Sequence, residues 1–300
     1  MSDVQHSQGH GPNSGFRVGQ VIVRSFSVFF RNILSFVPLT LVIAIPPILF
    51  FILAASSFDF EMIMQAAQSD ELTAAQEEAL KGQAAQLVWI VPIGFLLAFG
   101  ASMWLSAGVT YGVVASLRGR QAGSIEIIMR SLHSVPTLLL LTLIGALVMI
   151  PVTIVALIPF LGFLLIVGLG LWIFAMFWVT VPSIVVESIG PIAGLKRSAD
   201  LTKGYRWHIL GIIMIWGVLS QVLGTLLGVV MQLVLMSVSP EVALPLALIL
   251  FGLYQAVLFG LAASLAAVGY HDLRITKEGA GPEELARVFD LSDVSAFGTD

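Results

Sequence analysis

Five stretches of this chain carry no charged residue and no histidine, and each is long enough to matter. Ile33–Ala55, Leu87–Leu117, Pro136–Val186, Ile209–Met236 and Val242–Tyr270 all lack Asp, Glu, Lys, Arg and His. About 20 apolar residues suffice to cross the hydrocarbon core of a bilayer as a helix. The third stretch is twice that length, and Pro159-Phe160-Leu161-Gly162 is its one plausible turn. Six spans follow, and with them an all-α integral membrane fold. A soluble domain has about a quarter of its residues charged. Here 11% are charged and 58% hydrophobic, so water is not the main solvent.

Composition also excludes whole classes of function. A net charge of -4 and an isoelectric point near 5.7 argue against a nucleic-acid partner. The absence of cysteine removes disulfides, thiolate metal sites and a cysteine nucleophile. With no ionisable group inside the spans, neither catalysis nor proton coupling within the membrane has the groups it ordinarily needs. The histidines near the span ends, His133, His208 and His271, show no metal-ligand spacing such as HExxH. The expectation is a protein that is not an enzyme and uses no cofactor and no metal.

Basic residues fix the orientation. Arg17, Arg24 and Arg31 precede the first span, and Arg118, Arg120 and Arg130 lie between the second and third. Lys196, Arg197, Lys203 and Arg206 lie between the fourth and fifth, and Arg274, Lys277 and Arg287 follow the sixth. With both termini cytoplasmic, 13 of the 14 basic residues fall inside, and Lys81 alone falls outside. The outer loop from Ser56 to Gln86 is acidic, and Thr73 followed by Gln76 predicts a capping box opening a short helix over the outer face. Residues 1–15 read as a disordered tail, 16–279 as a six-helix membrane domain and 280–300 as a cytoplasmic tail.

A weak repeat runs through this layout. Arg24-Ser25, Arg130-Ser131 and Arg197-Ser198 each sit in a basic helical segment shortly before a spanning pair. We read three units, each an interfacial helix plus a transmembrane hairpin. In the first, Arg17, Arg24 and Arg31 form one stripe at seven-residue spacing, with Val18, Ile22, Phe26, Phe29 and Phe30 broadly opposite, as in a helix lying in the membrane interface. Gly108/Gly112, Gly224/Gly228 and the Ala256/Gly260/Ser264 stripe predict close helix contacts within the chain.

The segment between the fourth and fifth spans, Glu187 to Leu210, carries four of the basic residues. Lys196, Asp200 and Lys203 share a helical face, which predicts that Asp200 pairs with one of the lysines. Gly204 is placed to end that helix, and Tyr205, Arg206 and Trp207 supply an aromatic and basic belt. Candidate lipid-binding or partner-binding residues are Arg24, Arg130, Lys196, Arg197, Lys203, Arg206 and Arg274. Their ligand is anionic membrane lipid or a protein partner.

The run from Val185 to Gly211, with YHDLRITKEG after the last span, resembles a known family. The positions that carry it are Glu187, Leu195, Arg197, Ser198, Leu201, Thr202, Gly204 and Trp207, then Tyr270, Asp272, Leu273, Arg274, Lys277, Glu278 and Gly279. They resemble the membrane domain attached to some bacterial glycerophosphoryl diester phosphodiesterases and found, more often, in stand-alone six-helix membrane proteins of unknown role. The resemblance covers roughly Phe16 to Gly279. It implies a bacterial inner-membrane protein and does not carry over the phosphodiesterase activity, which belongs to a separate soluble barrel. Two functions remain open at the level of sequence: a membrane scaffold or assembly factor with a basic cytoplasmic face, and a carrier or channel for an uncharged or amphiphilic solute.

Overall fold

The computed structural model describes residues 16–55, 57–59, 62, 65–66, 73–156, 161–237 and 240–279. The two predicted tails, the turn at Pro159-Phe160, the centre of the turn at 237–241 and about a third of the acidic loop, chiefly 67–72, lie outside the described residues. Within them the chain forms ten helices and no strand. In chain order these are α1 (Val18–Arg31), α2 (Ile33–Ala55), α3 (Ala74–Leu117), α4 (Ser124–Leu132), α5 (Val135–Ala156), α6 (Leu161–Phe177), α7 (Thr180–Glu187), α8 (Pro191–Thr202), α9 (Arg206–Ser237) and α10 (Pro240–Glu278). The short helices α1, α4 and α8 each precede a pair of longer apolar ones. Five helical stretches are long and apolar enough to cross a membrane, and a sixth if α4 and α5, which meet at 67°, form one broken span. These are the helices of a multi-pass membrane protein.

The capping box predicted at Thr73 is present: its hydroxyl accepts from the Gln76 backbone N–H, and the Gln76 side chain accepts from the Thr73 N–H. It does not open a separate cap, however. The helix it starts runs unbroken to Leu117, because Ala, Gln and Glu are strong helix formers that lead straight into the apolar run, and Pro92 does not stop it. At about 1.5 Å per residue the 44 residues of α3 span about 66 Å, so Lys81 and Arg118 lie at opposite ends of the molecule.

The last helix, α10, lies against α1, α2, α3, α7, α8 and α9, and its buried residues among those described run from Ala256 to Leu273. In α3, Gly94 is the one buried residue before Leu105, after which no position is fully exposed and more than half are buried. Outward-facing leucines, isoleucines and valines cover the remaining surfaces of α2, α3, α5 and α9, as lipid-facing helices require. Helix α1 is amphipathic as predicted, but the protein takes up most of its apolar face. Val21, Ser25, Val28 and Phe29 are buried in the bundle, while Val23 and Phe30 point outward.

Glycines permit the close approaches. A Cβ on Gly112 would lie 2.3 Å from the Phe36 ring of α2, and one on Gly108 would lie 3.0 Å from Leu39. The same test on Gly260 of α10 meets Phe29 of α1 at 2.5 Å. Gly224 is approached by the Tyr254 hydroxyl, whereas Gly228 has nothing within 4 Å, so that second pair is only half used. The buried aromatic rings Phe29 and Phe36, 5.9 Å apart, therefore occupy grooves that glycine alone leaves open. Gly112→Val should lower the stability of the detergent-purified protein by about 1–3 kcal/mol through overpacking. Gly217→Val, with nothing within 4 Å, serves as the control, and equal melting temperatures for the two variants would rule out this packing role.

Candidate functional site

The candidate site grows from a break in the chain. Pro182 has no N–H to give to the carbonyl of Trp178, and its ring presses on that carbonyl, so the helix stops at Phe177 and restarts as α7 at Thr180. Carbonyls of the last turn of α6 then lack intrahelical donors. Thr180 donates its hydroxyl to the Phe177 carbonyl at 2.8 Å. The Met176 carbonyl is reached from α8, by the Ser198 hydroxyl at 3.0 Å and the Thr202 hydroxyl at 3.1 Å. Both side chains are fully buried, and their i, i+4 spacing puts them on one face.

That face fixes where α8 sits. Ser188 turns the chain in the left-handed region at φ 51, Gly190 caps α8 and Pro191 opens it. A Cβ on Gly194 would lie 2.3 Å from Ile184, so α7 and α8 pack as a tight hairpin. Arg197 thereby comes to face Glu187, its Nε 2.7 Å from Oε1 and 2.9 Å from Oε2. Its Nη1 pairs with Glu278 at the end of α10. Glu278 also accepts from Arg274 Nε at 3.1 Å, and the Tyr270 hydroxyl donates to Glu187 at 2.8 Å. Two carboxylates, two guanidinium groups and a phenol thus lock α7, α8 and α10 together. Hydrogen bonding to Glu278, outweighing the cost of burial, makes Arg197 hold its proton more firmly than an exposed arginine does.

The seven candidate residues divide into two sets. Arg24 pairs with Asp272 at 3.0 Å, joining α1 to α10. Arg130 pairs within α4 with Glu126, which also takes Arg120. With Arg197 and Arg274, these four arginines have carboxylate partners. Lys196, Lys203 and Arg206 have no ion pair among the described residues. The predicted pairing of Asp200 with Lys196 or Lys203 does not form. Lys277 instead reaches across from α10 and donates to the Asp200 backbone carbonyl, which docks α10 on α8 without using the carboxylate.

Arg206 begins α9 just after Gly204, whose φ of +91 ends α8 as expected for a glycine stop. Its guanidinium lies 5.5 Å over the ring of Trp172, and Trp172 meets Trp207 edge-on at 5.2 Å. Trp207 is 75% exposed. Sequence reading placed Arg206 and Trp207 in one belt but missed Trp172 as their partner, Lys277 as the donor to Asp200, and the carboxylates Glu187, Asp272 and Glu278 as partners of Arg197, Arg24 and Arg274. A signal existed for part of this: Tyr270, Arg274, Lys277 and Glu278 continue a helical stripe beyond the last apolar residue.

The three Arg-Ser pairs prove equivalent in their chemistry. Each arginine is ion-paired, and Ser25, Ser131 and Ser198 are all 0% exposed. Ser25 donates to Val21 O, Ser131 donates to Ile128 O and accepts from Trp104 Nε1 at 2.8 Å, and Ser198 bridges to Met176. Other hydroxyls in the apolar helices bond carbonyls of their own helix, as Thr110 does to Ser106 and Thr142 to Leu138. Tyr254 instead donates across to Ser220 O of α9 at 2.9 Å. A cleft of about 160 Å³ between α2, α3 and α5 has Ile43, Pro46, Pro47, Leu97, Trp104 and Leu138 among its walls and is apolar. Among the described residues no group of His, Asp and Glu is arranged to hold a metal ion.

Arg197→Ala strands two partly buried carboxylates. The loss for breaking a buried pair is about 3–5 kcal/mol; partial solvent access to Arg197 brings the expected cost down to about 1–3 kcal/mol, read from thermal unfolding in detergent. Ser198→Ala and Thr202→Ala should each cost about 1 kcal/mol or less, because the partner hydroxyl still serves Met176. The double variant, which orphans that carbonyl, should cost about 1–3 kcal/mol. Strict additivity of the two single losses would show that the hydroxyls do not share one acceptor. Comparison with protein-family models, with curated proteins and with solved structures finds no match for the chain.

Proposed function

We propose that this protein is a six-span scaffold or assembly factor of the bacterial inner membrane, not an enzyme, with both termini cytoplasmic. In this reading it is built from three units of interfacial helix plus transmembrane hairpin, and its basic cytoplasmic face engages anionic lipid headgroups. One observation carries the proposal. Among the described residues Lys196, Lys203 and Arg206 have no ion pair, at the end of the bundle where the other basic clusters gather, while Arg24, Arg130, Arg197 and Arg274 are tied to carboxylates. Surface cations with no carboxylate partner, beside an exposed tryptophan, suit the headgroup region of an acidic leaflet.

Orientation is argued from the same charges. Lys81 sits near the far end of α3, ion-paired to Glu77, and the positive-inside rule puts the basic end in the cytoplasm. The resemblance to the phosphodiesterase-associated membrane domain fits this placement. A carrier is the second reading. It is less well supported, because the cleft is apolar and the hydroxyls within the apolar helices bond backbone carbonyls.

The test uses the full-length protein in nanodiscs of phosphatidylcholine with and without an anionic phospholipid, with retained lipid counted by native mass spectrometry. Each cation near an anionic surface contributes about 1 kcal/mol. Lys196→Gln/Lys203→Gln/Arg206→Gln should therefore reduce anionic-lipid retention by about a hundredfold at low salt. Unchanged retention would remove the headgroup role. Gentle extraction that reproducibly brings down a polypeptide would assign the same face to a protein partner.

A further inference from the structure

We propose that Lys203, Arg206 and Lys277, where the ends of α8, α9 and α10 meet, receive the phosphomonoester headgroup of a membrane lipid. The inference rests on the anionic-lipid reading above and narrows it to one headgroup class. Charge balance comes first. Glu187, Glu278, Arg197 and Arg274 neutralise one another in the lock that joins α7, α8 and α10. Beside that lock, Lys277 is anchored to the Asp200 carbonyl and lies within electrostatic reach of Lys203, Arg206, Asp200 and Glu278, the last already neutralised within the lock. Three cations against the single carboxylate of Asp200 leave two positive charges. A phosphomonoester carries about −1.5 to −2 at neutral pH, enough to balance both, whereas the phosphodiester of a common anionic phospholipid carries one.

Geometry supports the same occupant. Arg206 Nε is buried without an acceptor among the described residues, and a buried donor left unmade is costly. The guanidinium carbon lies over the Trp172 ring, 5.5 Å from its centroid, a contact that restricts the planar fork suited to phosphate oxygens. Arg206, Trp207 and His208 open the 32-residue helix α9, whose first-turn N–H groups add positive potential at the same place. Trp207, largely exposed and in contact with Trp172, gives the site an amphipathic flank at headgroup depth, so the phosphate arrives on a lipid.

The experiment places the full-length protein in phosphatidylcholine nanodiscs containing equal mole fractions of either phosphatidic acid or phosphatidylglycerol, and counts retained lipid by native mass spectrometry. Phosphatidic acid should be retained about tenfold over phosphatidylglycerol, reflecting its second charge and bidentate pairing. K203Q/R206Q/K277Q should bring the ratio to about one, while K81Q at the far end leaves it unchanged. Asp200→Asn, which removes the opposing charge from an exposed position, should raise phosphatidic acid retention, a gain that misfolding cannot mimic. Equal retention of the two lipids, both above phosphatidylcholine, overturns the inference and leaves the anionic-lipid reading standing. Retention of neither overturns both. Full displacement of phosphatidic acid by inorganic phosphate overturns the lipid source, and a lower retention in D200N overturns the charge balance.

Discussion

A carbonyl that cannot be left alone organises the basic end of this protein. Once Pro182 interrupts the helix, the Met176 oxygen has no N–H above it, and in apolar surroundings an unsatisfied polar group costs several kcal/mol. Ser198 and Thr202 satisfy it from another helix. That requirement presses α8 against α6, and Gly194 lets α7 follow closely enough for Glu187 to meet Arg197. The ion pairs are therefore consequences of the backbone break more than causes of the fold. They close the arrangement by capturing Glu278 from α10, whose residues from Gly260 to Tyr270 are almost all buried.

The division of labour between arginine and lysine follows from their chemistry. Arg24, Arg130, Arg197 and Arg274 all sit opposite carboxylates, where a planar fork with five donors can serve two partners at once, as Arg197 does with Glu187 and Glu278. Lys196, Lys203 and Lys277 are compact point charges on flexible stems; among the described residues the first two have no ion pair and the third holds a backbone carbonyl. Of the five candidate arginines Arg206 differs: its guanidinium lies over the Trp172 ring, and among the described residues it has no carboxylate partner. With Arg24, Arg130, Arg197 and Arg274 consumed internally, the basic end presents less charge than its composition suggests.

Much of the architecture was legible in the sequence because solvent, not packing, dictated it. A run without charges such as Ile33–Ala55 can only be helical in lipid, Thr73 and Gln76 carry their capping box in their spacing, and Gly204 ends α8 because few other residues adopt φ +91. What was not legible depended on contacts across long sequence separations. Nothing local to Arg197 tells that Glu278, eighty-one positions on, completes its site, and nothing local to Asp200 tells that its carbonyl, not its carboxylate, is the group in use. The junction at Gln86-Leu87 was misread for a different reason: composition changes there from polar to apolar, but helix propensity does not, so one helix crosses a boundary that hydropathy alone suggests.

The asymmetry of packing also bears on which function the fold can serve. A carrier that alternates access needs a bundle able to open toward both sides around a site near its middle. Here α10 is clasped at one end by α1, α7 and α8 through Asp272, Tyr270 and Glu278, with Phe29 seated on Gly260 and Trp178 against Gly269. Opening that end would break several charged contacts together and unseat rings from grooves that only glycine provides. Among the described residues, hydroxyls within the apolar helices such as Thr110, Thr142 and Tyr254 are bonded to backbone carbonyls. In the proposed reading, a rim clasped in this way holds its constellation of cations against a surface, which a bundle that opened at the same end would not do.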